Sequence, residues 1–93
     1  MPETENMELK NFMEVIVREM LPAVLANSPV CTCERCRLDI LSYALNNLPP
    51  RYVVTNKGDM FARLETMQVQ FEADVATALI NGAKLVGSNP RHV

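Results

Sequence analysis

Three cysteines, Cys31, Cys33 and Cys36, lie within six positions in the segment CTCERC, and the chain has no others. Thiolates at this spacing suit zinc, which takes four ligands in a tetrahedron with sulfur about 2.3 Å from the ion. A helix that starts within the cluster, together with Arg35 and Arg37, would favour the loss of thiol protons that binding requires. The odd number of cysteines argues against disulfides. The sequence therefore predicts a zinc site, and the alternatives are uncoordinated thiols or a redox pair.

The fourth zinc ligand is open on the residues alone. The single histidine, His92, lies in the segment SNPRHV, and a tail that folds back to the cysteines would complete a Cys3His site. Asp39, a water molecule or a group from another chain are the alternatives. An iron–sulfur cluster is less suited, because it usually takes four cysteines. We predict Zn2+ as the cofactor, with Cys31, Cys33, Cys36 and His92 as its ligands.

The charge of the chain is unevenly distributed. Its 93 residues fit a single domain spanning residues 1–93, with a net charge of −2 and a pI of about 5.3. This balance argues against a broad basic surface for nonspecific DNA binding. Residues 31–63 nevertheless hold five basic and three acidic residues, whereas the rest holds four basic and eight acidic. The middle of the chain could bind an anionic ligand, or its basic side chains could be solvated on separate surfaces.

The first residues, MPETENMELKN, are acidic and polar. They lack the basic and apolar regions of a signal peptide, and no apolar run is long enough to span a membrane. We therefore expect a soluble cytoplasmic protein with no membrane partner, and in that reducing compartment clustered cysteines are typically thiols or metal ligands.

The elements that would position the cysteines are helices. Thr4 is a candidate N-cap for a first helix, in which Pro22 predicts a kink or a restart and residues 27–29 predict the end. A second helix should begin within the cysteine cluster and run to about Leu48, before Pro49 and Pro50. The segment RYVVTNKGD then favours a short ordered loop or a strand fragment.

A long helix should close the chain, capped by Asp59 and running from Met60 to about Val86. Leu64, Phe71, Ala78 and Leu85 recur every seven residues along it. Such a helix would be roughly 40 Å long, more than a compact domain of this size needs. The predicted fold is all-α, a small helical domain with one long C-terminal helix that forms an intertwined homodimer. The alternative is that the first two helices cover the whole apolar stripe.

The segment CTCERCRLDILSYALNNLPPRYVVTNKG resembles the signature of the ComFB family, the late competence development proteins. In that family a cysteine pair or triplet precedes a block that reads D-I/V-x-x-x-A-L-N-x-L/V-x-P-x-Y-V. The matching residues here are Asp39, Ile40, Ala44, Leu45, Asn46, Leu48, Pro50, Tyr52 and Val53. The resemblance implies a small all-α homodimer, with zinc held by cysteines in some members. Metal-binding members have a fourth cysteine near the C-terminus, and His92 falls at about that place.

The same resemblance implies a function, because cyanobacterial members are receptors for cyclic di-GMP or cyclic di-AMP. A dimer could place arginines on the two phosphates and tyrosines against the bases. The candidate ligand-binding residues are Arg37, Asp39, Tyr43, Asn46, Arg51, Tyr52, Lys57 and Arg63. Each has a structural alternative: core or interface for the tyrosines, a helix cap for Asn46, and a surface pair with Arg35 for Asp39.

An enzyme is not expected. The chain has no phosphate-binding glycine loop, no nucleophile elbow, and no carboxylate pair near a histidine for acid–base chemistry. The sequence therefore predicts a zinc-stapled regulatory homodimer that acts as a cyclic dinucleotide receptor or adaptor. The alternative is a zinc-binding protein-interaction module of late competence or DNA uptake, with a competence or signalling protein as its partner and no nucleotide ligand.

Overall fold

The computed structural model describes residues 7–88, with the backbone alone for residues 57–63. This part of the chain forms three helices and a two-stranded antiparallel sheet. In chain order the elements are β1 (Glu8–Asn11), α1 (Phe12–Ala26), α2 (Glu34–Asn46), β2 (Tyr52–Thr55) and α3 (Lys57–Ser88). The predicted helical domain with one long last helix is confirmed, but the described chain is mainly helical instead of all-α, because β1 and β2 form a small sheet.

The first helix begins later than the sequence predicts. Residues Glu8–Asn11 form β1, which pairs with β2 in the register Leu9 to Val54 and Asn11 to Tyr52. Asn11 then caps α1, because its side-chain oxygen accepts a hydrogen bond from the backbone N–H of Met13 at 3.3 Å. The predicted cap, Thr4, lies outside the described residues. The prediction that residues 8–11 belong to the helix is wrong, since pairing with β2 holds them extended.

The end of α1 agrees with the sequence. The helix continues through Pro22 to Ala26 without the predicted restart. The backbone N–H groups of Asn27 and Ser28 then donate to the carbonyls of Val24 and Leu25, which closes the last turn. Pro29 follows and cannot donate such a bond. The chain therefore leaves α1 where the cysteine segment begins.

The last helix starts at Lys57, two residues before Asp59, so Asp59 lies in its first turn instead of capping it. The helix has 32 residues and ends at Ser88, close to the predicted Val86. At 1.5 Å per residue it is about 48 Å long. The described chain is 49 Å in its longest dimension, so α3 spans the molecule. None of the helices in residues 7–88 combines the length and apolarity required to cross a membrane.

The core lies where α1 and α2 pack on the C-terminal half of α3. Its fully buried side chains include Phe12, Ile16, Ile40, Val75 and Leu79. On the predicted seven-residue stripe, Ala78 is buried and Leu64 and Phe71 are half-buried against the core. Leu85, in contrast, is 54% exposed. Within a single chain, α1 and α2 thus leave part of the stripe uncovered.

Gly82 sets the distance between α2 and α3. A Cβ at this position would lie 3.0 Å from Cδ1 of Tyr43 and 3.2 Å from the carbonyl oxygen of Ile40. A Cβ at this position would push these neighbours away by a few tenths of an ångström, so glycine favours the close approach of the two backbones. The crossing fixes α2, and with it the cysteines at its start, relative to the core.

Candidate metal centre

The cysteine cluster lies at the junction between the loop after α1 and the start of α2. Cys33 is the N-cap of α2, with an extended backbone, and Cys36 is the third residue of the helix. The backbone N–H of Cys36 donates to the sulfur of Cys33 at 3.5 Å, as a capping side chain accepts in most helices. Helix α2 thus starts within the cluster, as the sequence predicts.

The three sulfur atoms lie within 4.8 Å of one another. Cys31 and Cys33 are exposed, whereas Cys36 is 1% exposed and belongs to the core. In a tetrahedral zinc site with sulfurs about 2.3 Å from the ion, neighbouring sulfurs are about 3.8 Å apart. To bind such an ion, the sulfurs would have to move closer to one another by about 1 Å at most. The cysteines therefore fit three of the four ligand positions of such an ion.

The thiol of Cys36 has a strongly raised pKa. The pKa of Cys36 is raised from 9.0 to about 12, mainly because the thiol is buried. Hydrogen bonds with the sulfurs of Cys33 and Cys31, and the charges of those two groups, raise it further. In the metal-free protein this thiol is neutral at all physiological pH values. A metal ion that binds here must displace its proton, so metal binding is coupled to pH.

Two residues were candidates for the fourth ligand. His92 lies outside the described residues. Asp39 does not belong to the sulfur cluster within residues 7–88, and its carboxylate lies 3.3 Å from Nε of Arg35, one turn away on α2. The surface pair between Arg35 and Asp39, one of the alternatives considered from the sequence, is confirmed.

The C-terminal end of α3 lies against the cysteine loop. A Cβ on Gly87 would lie 2.6 Å from Cγ1 of Val30, the residue that precedes Cys31. A Cβ here would force the Val30 side chain to shift, so the last described turn of α3 lies against the loop. The described part of α3 ends one residue after this contact.

The described side chains among the predicted ligand-binding residues lie on α2 and around the start of β2. Arg37 and Asn46 are exposed at opposite ends of α2, and Tyr43 lies half-buried against Gly82. A depression of about 290 Å³ beside Tyr43 includes Asp74 and no arginine or lysine among the described residues that line it. The side chains of Lys57 and Arg63 lie outside the description. Asn47, not Asn46, caps α2, through a bond from its side-chain nitrogen to the carbonyl of Tyr43 at 2.8 Å.

Arg51 and Tyr52 form an exposed pair at the start of β2. Tyr52 is 64% exposed, and the guanidinium of Arg51 lies 5.9 Å from the centroid of the Phe71 ring, within cation–π range. The backbone of Arg51 is held by Asn11, whose side-chain oxygen accepts from the N–H of Arg51 at 2.8 Å. Asn11 is not among the residues predicted from the sequence. An asparagine directly before the apolar run of α1 is the signal that could have identified it.

A large apolar groove runs between α1 and α3, away from Arg51. Its volume is about 840 Å³, and Val30 of the cysteine loop and Gly87 line one end. The apolar side chains along it include Met20, Val24, Ala76, Ile80 and Ala83, with Glu19, Glu72 and Lys84 among the charged ones. This groove is not the surface predicted from the sequence, because none of the four stripe residues Leu64, Phe71, Ala78 and Leu85 lines it.

The fold and the cysteine cluster together define a small, mainly helical protein with three thiols placed to hold a metal ion. The family model of the late competence development protein ComFB matches residues 10–90. The chain therefore belongs to the ComFB family, as its signature segment indicates.

The sequence and the solved structure of one relative extend this comparison. The chain is similar to the competence protein ComFB of Bacillus subtilis (strain 168), with 28% identity over 83 residues that cover 88% of this chain and 85% of the relative. It is also similar to the solved structure of the late competence protein ComFB from Bacillus subtilis, with a TM-score of 0.77 and 28% identity. That match covers 90% of this chain and 96% of the other. Sequence and fold thus agree on the family over nearly the whole length.

Proposed function

We propose that this protein is a non-enzymatic adaptor of late competence that works as a zinc-stapled homodimer. The observation that carries the proposal is the convergence of three sulfur atoms at the start of α2. Zinc held there would tie the loop after α1 to the first turn of α2. With four ligands from the protein, the ion keeps no open position for a reacting water and contributes stability instead of catalysis.

His92 is the fourth ligand in this proposal. The chain leaves α3 at Ser88, and Gly87 contacts Val30 beside Cys31. Four further residues reach His92, and an extended segment of that length spans about 13 Å. The contact between Gly87 and Val30 supports this assignment because it brings the root of the tail to the cysteine loop.

A competition titration with a chromophoric zinc chelator under reducing conditions tests the site. Loss of a residue that only supports a metal ligand weakens metal binding by about 10–100-fold. Cys33→Ser and His92→Ala each remove a proposed ligand, so each should weaken zinc binding by more than this. Thr32→Ala is the matched control, because Thr32 is exposed between two of the ligands and should leave the affinity unchanged. Full zinc affinity in His92→Ala would exclude His92 as a ligand, and full affinity in Cys33→Ser would exclude the site.

The homodimer is supported by the groove between α1 and α3. A second copy that lays its own α3 along this groove would cover Ile80, which is 42% exposed in one chain. The groove is lined mainly by apolar side chains, and burial of such surface by a second copy would stabilise association. Since Val30 lines the same groove, the zinc loop would form part of the interface.

Sedimentation at tens of micromolar tests the dimer. Ile80→Glu places a charge in the groove and should give a monomer that keeps its helicity. Val69→Glu is the control, since Val69 is 75% exposed on the same helix and does not line the groove. A wild-type monomer would refute the dimer. If the Val69→Glu protein is a monomer and the Ile80→Glu protein is a dimer, the interface lies elsewhere on α3.

Cyclic dinucleotide binding is the second candidate function, and the exposed pair Arg51 and Tyr52 favours it. A guanidinium suits a phosphate, and an exposed phenol ring can stack on a base. A cyclic dinucleotide has two phosphates and two bases, so the two copies of Arg51 and Tyr52 in a dimer would match its symmetry. Candidate residues on α2 and at the start of β2 would then contact one ligand from two chains.

Thermal unfolding with cyclic di-GMP or cyclic di-AMP tests this candidate. A ligand at 100 times its Kd stabilises the folded state by about 2.7 kcal/mol. Arg51→Ala should lose this stabilisation, whereas Arg18→Ala, an exposed arginine on α1, should keep it. If neither nucleotide stabilises the wild-type protein, the adaptor acts through a competence or signalling protein instead.

A further inference from the structure

We propose that Cys33 and Cys36 form a reversible intramolecular disulfide, which makes the cysteine cluster sensitive to hydroperoxides. The proposal rests on the positions of the two residues in one helical turn, on the separation of their sulfurs and on their different exposure. Formation of the bond does not require a metal ion.

The first turn of α2 holds the two side chains together. Cys33 is the N-cap and Cys36 the third helical residue, and the N–H of Cys36 donates to the sulfur of Cys33 at 3.5 Å. The two sulfurs lie within 4.8 Å of each other. A disulfide requires about 2.05 Å between them, so the two side chains need to rotate toward each other until the sulfurs are in bonding distance. Two cysteines separated by two residues at a helix start are a common redox arrangement.

The exposure of the two residues assigns their roles. Cys33 is exposed and can meet a hydroperoxide, whereas Cys36 is buried. The sulfur of Cys33 attacks the peroxide, the O–O bond breaks, and Cys33 becomes a sulfenic acid with release of water when the oxidant is hydrogen peroxide. The sulfur of Cys36 then attacks the sulfur of this sulfenic acid, and the Cys36 thiol gives its proton to the departing hydroxyl, which forms the S–S bond and releases a second water. The two thiols supply two electrons and two protons.

Cys31 is the competing partner. Only Thr32 separates Cys31 from Cys33, so a disulfide between them would close a smaller and more strained ring than one between Cys33 and Cys36. The bond we propose also removes two of the three sulfurs available to a metal ion. If the zinc site proposed above is present, oxidation should therefore release the ion.

Peptide mapping of the full-length, reduced, metal-free protein tests the bond. The protein is treated with one equivalent of hydrogen peroxide, alkylated and cut with trypsin. Cleavage after Arg35 separates Cys33 from Cys36, whereas Cys31 and Cys33 stay in one peptide. The expected product is a pair of peptides joined across Arg35 that a thiol reductant separates. Cys31→Ser should keep the joined peptides within about twofold, and Cys33→Ser should lose them at least about tenfold.

Three results would overturn the proposal: a disulfide confined to the peptide that contains Cys31 and Cys33, joined peptides that persist in Cys33→Ser, or a bond between two chains. Peroxide treatment of zinc-loaded protein adds a separate readout, zinc release measured with a chromophoric chelator. Release should follow formation of the joined peptides, and release without them would also overturn the proposal. A protein that binds no zinc but forms the joined peptides would refute the metal site and support the disulfide.

Discussion

Asn11 connects the sheet, the first helix and the candidate ligand residue Arg51. Its side-chain oxygen accepts from the N–H of Met13 at 3.3 Å and from the N–H of Arg51 at 2.8 Å. We predict that Asn11→Ala destabilises the protein and that Asn11→Asp does not, because a carboxylate oxygen can accept both bonds and interacts favourably with a helix N-terminus.

The expected loss follows from these two bonds. Removing an N-cap side chain costs about 1 kcal/mol. The bond to Arg51 adds about 0.5–1.5 kcal/mol, with the lower value favoured because water can reach this donor. Together they predict a loss of about 1.5–2 kcal/mol. For a domain of this size that corresponds to a decrease in Tm of roughly 10 °C.

Urea unfolding followed by circular dichroism measures this loss, with wild type, Asn11→Ala and Asn11→Asp compared at one protein concentration and one zinc concentration. Asn11→Asp should stay within about 0.5 kcal/mol of wild type. A loss below about 0.5 kcal/mol in Asn11→Ala, or an equal loss in both variants, would refute the role assigned to the side-chain oxygen.

Three further predictions concern the helix crossing and the buried thiol. Gly82→Ala should lower the free energy of unfolding measured in urea. Overpacking against Tyr43 and the Ile40 carbonyl costs about 1–3 kcal/mol, whereas the higher helix propensity of alanine contributes about 1 kcal/mol. A variant more stable than wild type would contradict the close crossing of α2 and α3. In the metal-free protein the pKa of Cys36 is raised from 9.0 to about 12, so the unfolded chain loses this proton first. The free energy of unfolding therefore includes a contribution from the neutral thiol, which is present below pH 9 and should decrease as pH rises toward 12. Unfolding measured at pH 8 and at pH 10 should show this decrease in the wild-type protein. Cys36→Ala should not show it. Because zinc must displace the same proton, the apparent zinc affinity should rise at least about tenfold per pH unit between about pH 6.5 and 8.5. An affinity independent of pH in a chelator competition would show that Cys36 is not a ligand.

The helices could be predicted from the sequence because their signals are local. Apolar residues at helical spacing identify α1, α2 and α3, and the prolines after α1 and α2 mark where those helices end. The start of α1 could not be predicted in the same way. Glu8–Asn11 carries no β-branched or aromatic residue, and it is extended only because the distant Tyr52–Thr55 pairs with it. Such a non-local partner has no signature in the segment itself.

The candidate site also has a part that local sequence predicts and a part that depends on distant contacts. Cys31, Cys33 and Cys36 are close in sequence, so their spacing alone predicts that their sulfurs meet, and they do. The predicted ligand residues are spread over three elements, and their arrangement depends on tertiary contacts that spacing does not encode. The contact between Val30 and Gly87 is of this kind, because it joins the cysteine loop to the far end of α3.

Native mass spectrometry of the full-length protein under reducing conditions, with added zinc, tests whether the cysteine cluster binds metal in a dimer. We expect a dimer that carries one zinc ion per chain, and a Cys33→Ser variant that carries none. Wild-type protein without zinc, or equal zinc content in the two proteins, would contradict the assignment of the cysteine cluster as a metal site.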